Sequence, residues 1–106
     1  MTISELSSDE YHPYYQPYID RVGDGDILEI LIRNRQITLS FIRGIGVDML
    51  NFRYAEDKWT VKEIFLHLID TERVFAYRAL CIARNDKTSL PGFDQDAFVN
   101  YSYNKH

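Results

Sequence analysis

The feature that most constrains this chain is the stretch from Trp59 to Asn85, "WTVKEIFLHLIDTERVFAYRALCIARN". Thr60 followed three residues later by Glu63 is a capping-box arrangement, in which each side chain bonds the other's backbone amide. Trp59 just before the cap and Ile64 four residues into the helix are placed to form a hydrophobic staple. The pattern predicts a helix over 60–85, about 39 Å long at ~1.5 Å per residue. Wound at steps of about 100°, Val61, Ile64, Leu68, Phe75, Ala79 and Ile82 share one face. Leu66, Ile69, Tyr77 and Leu80 lie well away from it. A helix apolar on more than one side calls for burial among several neighbours or at an interface between chains.

Three polar positions on this helix carry chemical interest. Glu72 falls within the apolar stripe, between Leu68 and Ala76, where a carboxylate is costly unless paired. The expected partner is Arg33 or Arg35 of the preceding helix; the functional alternative is an acid or base in a pocket. His67 lies at the edge of the stripe, on a line with Glu63, Thr71, Val74 and Arg78. Asp70, three residues on, is a helical neighbour and can hold the second ring nitrogen, as carboxylates do behind metal-bound histidines. Read from the residues alone, His67 is either a structural histidine or a ligand. A catalytic metal needs about three protein ligands and an open position, and no HxxxH or HExxH pair is present. His12 reads as exposed or packed on tyrosine, and His106, the last residue, is not expected to ligate. Cys81, the only cysteine, reads as a small packed residue within "ALCIA".

The rest of the chain is helical or loop in character. Residues 1–25 are polar and Tyr-rich, broken by Pro13 and Pro17, and read as an arm that lays Tyr14, Tyr15 and Tyr18 against the main body. "GDGDILEILIRNRQITLSFIRGIG" predicts a helix over 26–44, capped by Asp26 with Glu29 and closed by Gly44 and Gly46 in the left-handed turn glycine tolerates. Pro91 and Gly92 break the pattern before a third helix over 94–106. No alternating strand pattern occurs, so the class is all-α, in one domain spanning 1–106. Of the 106 residues, 45% are hydrophobic and 26% charged, which is a globular composition. A net charge of −4 with scattered Lys and Arg argues against nucleic-acid binding. There is no signal-peptide core and no run of the ~20 apolar residues a membrane span needs. The default location is the cytoplasm.

In order along the chain, "GDILEIL", "KWTVKE", "HLIDTER", "YRAL", "IARND" and "LPGFDQD" resemble the DinB-like superfamily, in its branch of DinB/YfiT-type metal-dependent enzymes. The resemblance runs from about Tyr11 to Phe98. It implies a four-helix bundle of up-down-down-up type, often dimeric. It implies a divalent ion, nickel or zinc, held by three histidines, with His67 at the position of the first and the other two in an HxxxH-like pair on the fourth helix. Some similar proteins transfer small thiols such as bacillithiol, or use mycothiol in isomerisation. This sequence stops where the third helix should lengthen, so the expectation is a bundle cut to about three helices, with an incomplete metal site.

Two functions of different class follow from the resemblance and the composition. The first is a metal-dependent transferase or hydrolase acting on a small molecule or thiol, with His67 as ligand and Asp70, Glu72 and Arg78 as supporting polar groups. The second is a non-catalytic, stress-associated helical module, free of metal, that forms a homodimer or higher assembly through exposed apolar helix faces. DNA binding stands third, against the acidic balance.

Overall fold

The computed structural model describes residues 1–102. Among them are four α-helices, joined by turns and 3-10 segments, and no strand. They are α1 (Gln16–Ile19), α2 (Ile27–Arg43), α3 (Val61–Ala83) and α4 (Gln95–Asn100). The chain divides into two compact units, Met1–Ile45 and the part from Gly46 onward.

In the first unit, α2 starts where its cap dictates. The Asp26 carboxylate accepts from the Leu28 and Glu29 amides at 3.1 and 3.3 Å. Glu29 makes no return bond among the described residues, so the reciprocal box expected there is not formed. Instead the other Asp26 oxygen takes the Met1 α-amine at 2.9 Å, and the Ile27 amide donates to the Met1 carbonyl at 2.8 Å. The first residue is thus clasped onto the start of α2. Gly23 and Gly25, with φ of 78° and 132°, turn the chain into this cap as residues with a Cβ rarely do. At the other end, Gly44 and Gly46 do not adopt the expected left-handed turn. Their φ angles are −77° and −68°, and α2 ends instead on bonds from the Gly44 amide to the Ser40 and Phe41 carbonyls. Tyr14, Tyr15 and Tyr18 are exposed rather than laid on a core. They gather on one another, with Tyr14 at 5.2 Å from Tyr15 and 6.1 Å from Tyr18 between ring centroids.

The second unit is organised around α3. Orphan amides at a helix start need partners, and here the first three find them locally. Val61 donates to the Phe52 carbonyl and Lys62 to that of Leu50, both at 3.0 Å. Glu63 donates to Thr60 Oγ1 at 3.3 Å, while the Glu63 carboxylate accepts from the Thr60 amide at 2.8 Å. The capping box is complete, and both residues are buried. At its far end α3 stops in a Schellman turn. The Asp86 amide reaches back to Cys81 and the Asn85 amide to Ile82, with Asn85 left-handed at φ 56°. The helix therefore ends two residues before the expected 85. The third predicted helix is short: Asp94 caps α4 through the Asp96 and Ala97 amides, and the helix ends at Asn100. Residues 103–106 of that expectation, His106 included, lie outside the described residues. α4 packs on α3 and carries Val99, which is 2% exposed.

The covered face of α3 is not the one its hydrophobic period suggests. Glu63, His67, Asp70, Val74, Arg78 and Cys81 are buried or half-buried, whereas Ile64, Leu68, Phe75 and Ile82 are exposed. Periodicity tells which residues share a face; what packs there decides which face is covered.

Candidate functional site

The covered edge of α3 places His67 one turn from both Asp70 and Thr71, and three turns from Arg78. Arg78 is eleven residues on, so it projects within about 20° of His67 but about 16 Å further along the axis. The His67 ring is half-buried, with its centroid 5.1 Å from that of Trp59 and the planes at 53°. Trp59 sits just before the Thr60 cap, so the capping box that starts α3 also fixes the indole against the imidazole. Neither nitrogen of His67 has a hydrogen bond among the described residues. The Asp70 carboxylate is half-buried and does not bond His67. Thr71 Oγ1 is buried with no partner. The buried Thr71 hydroxyl and the half-buried His67 imidazole, one turn apart on one helix, form a small polar locus able to take a hydrogen bond or donate a lone pair to an ion.

Trp59 and Ile64 do line a common cavity, together with Tyr54, Asp57, Lys58 and Asp96. The cavity measures about 320 Å³. The Lys58 ammonium lies 6.0 Å from the Tyr54 ring centre, at the outer limit of a cation–π contact.

Glu72 departs from expectation. It shares its face with Leu68 and Phe75, and because that face is exposed the carboxylate stays in water. Within its own unit it forms no salt bridge among the described residues. The premise of a buried charge needing a cation is therefore removed. Arg78 is half-buried, donates to the Pro91 carbonyl at 3.0 Å and lies 5.9 Å from the Phe75 ring centre. It is turned toward the Leu90–Phe93 segment, away from His67.

Residues 30–102 match the family model of the DinB superfamily. The chain belongs to the DinB superfamily. Its helical, strand-free build among the described residues agrees with that all-α class. No curated protein and no solved structure matches it. No helix among the described residues is long and apolar enough to cross a membrane.

Membership invites a test of the metal site implied by the motifs. Among the described residues no group of three or more His, Cys, Asp or Glu side chains converges. A tight divalent site needs about three protein donors, and His67 is not joined by two such side chains among the described residues. Sequence reasoning passed over Trp59 as a neighbour of His67, although the spacing of eight residues across a helix start contains the signal: the residue before the cap folds back over the first turns.

Proposed function

We propose that this DinB-superfamily chain belongs to metal-dependent transferase or hydrolase chemistry on a small molecule. In this reading His67 is one ligand of a divalent ion, nickel or zinc, whose other donors lie outside residues 1–102. The observation that carries it is the His67 imidazole itself: half-buried, set against Trp59, and free at both ring nitrogens. A half-buried imidazole with no protein partner keeps its nitrogen lone pair available to an ion or a substrate atom. The unpartnered Thr71 hydroxyl beside it supports the same locus. Such an ion, once bound, polarises a substrate or lowers the pKa of a bound water or thiol.

The test is metal content of the purified protein and of His67→Ala after equilibration with nickel or zinc. The expected result is bound metal in the parent and its loss in the variant. Equal metal in both removes His67 from the site.

A second reading has its own observation. Phe41 and Ile37 on α2, and Phe75 and Ile82 on α3, are exposed apolar side chains, and surfaces of this kind are normally covered by a partner. They support a self-associating helical module without catalysis. A protein that binds no metal yet associates with rising concentration favours this reading over the first.

A further inference from the structure

A groove of about 380 Å³ lies at the far end of α3 from His67. Its floor is made by Arg73, Val74, Tyr77 and Arg78, which are two adjacent rows of the helix at i, i+1, i+4 and i+5. Its other wall is the Leu90–Phe93 segment, together with Phe98 of α4. Phe93 and Phe98 stand 5.2 Å apart at 49° and form an aromatic side. The bond from Arg78 to the Pro91 carbonyl ties the segment to the helix and holds the groove open beside it. At Gly92 no atom stands within 4 Å of where a side chain would begin, so the segment is uncrowded there.

The chemistry of the lining is selective. Leu90, Pro91, Phe93, Phe98 and Val74 present an apolar interior, and none of the lining residues is acidic. Two arginines, Arg73 and Arg78, belong to its lining in a chain of net charge −4. Neither is in a salt bridge among the described residues. Arg78 gives one N–H to Pro91 and keeps others for a ligand, while the Arg73 side chain makes no hydrogen bond among the described residues. Pockets of about 300–1,000 Å³ with an apolar lining and a few placed polar groups are the usual form of small-molecule sites. Guanidinium matches a carboxylate in shape and charge.

We propose that this groove binds a small monocarboxylate with an apolar, ring-sized body, its carboxylate held by Arg73 and Arg78 and its body between Tyr77, Phe93 and Phe98. The helix residues of the site lie about two to three turns from His67, and the proposal stands whether or not His67 holds a metal.

The probe is 4-phenylbutyrate, titrated into the whole protein and followed by the backbone amide signals in NMR. The neutral amide, 4-phenylbutyramide, serves as the matched control. Shifts are expected at Tyr77, Leu90, Gly92, Phe93 and Phe98. The amide should bind about tenfold more weakly, as the loss of a charge-assisted hydrogen bond implies. Arg73→Gln should weaken the acid by a similar factor, and Arg73→Lys by less, with circular dichroism unchanged in both. Phe93→Ala should weaken acid and amide alike. The proposal fails if the acid produces no shifts at millimolar concentration, or if acid and amide bind equally. It also fails if the shifts centre on Leu68 and Ile82, which would mark adsorption to the exposed face of α3.

Discussion

The Met1 amine and the Asp26 carboxylate, 2.9 Å apart, perturb each other in opposite directions. The hydrogen bond from the amine lowers the Asp26 pKa below its ordinary 3.8, with the Glu29 amide assisting. The same bond raises the amine above its ordinary 8.0. A lowered carboxylate contributes stability above its unfolded pKa and loses it as pH falls through the folded value. A raised amine contributes below its unfolded pKa and loses it as pH rises through the folded value. The clasp is therefore at full strength from about pH 4 to about pH 8 and fades on both sides. An NMR titration should place the Asp26 midpoint under 3.8, and Asp26→Asn should return the amine toward 8.0. At the start of α3 the expectation is one of stability. Thr60→Ala removes a buried cap and should cost about 1 kcal/mol, with Thr60→Ser close to neutral; urea unfolding followed by circular dichroism measures it. Thr60 and Glu63 were readable because their partnership is local, spanning three residues. Glu72 was not, since its environment depends on what covers a face.

The ends of α3 are set by different means. Its start is built from side chains, the Thr60–Glu63 box, and from carbonyls of the preceding loop at Leu50 and Phe52. Its end is built from backbone alone, with Asn85 taking the left-handed conformation. A β-branched residue is strained there, so Asn85→Val should cost about 1–2 kcal/mol, while Asn85→Gly should be at least as stable as the parent. Thermal denaturation of the two variants tests the sign as well as the size. α4 shows the opposite limit. Its Asp94 cap is plain in the sequence, but its length of six residues is not, because nothing in "QDAFVNYS" breaks a helix. The end after Asn100 is a 3-10 closure, with Tyr101 bonded back to Ala97 and Phe98.

Few of the apolar side chains among the described residues are buried. Ile30, Cys81 and Val99 are the buried hydrophobic residues among those described, while Phe75 is 56% and Ile82 74% exposed. If the exposed α3 face is the one that associates, sedimentation velocity should show a concentration-dependent species in the parent. The double variant Leu68→Lys, Ile82→Lys should shift it toward monomer. A parent that sediments as a monomer at every concentration removes the association reading. The sequence by itself determined the all-α class, the starts of α2, α3 and α4, and membership of the DinB superfamily. Caps and helical periods act over three to seven residues, and a family signature is a linear string. Only the tertiary structure decided that α3 covers its Glu63–His67–Arg78 edge, that Trp59 sets His67, and that Arg73 and Arg78 border a groove with Phe93. Those facts join positions up to 20 residues apart, Arg73 and Phe93, through a segment, Leu90–Phe93, that has no period to read. Burial is a property of what meets a face, and no face carries that information alone.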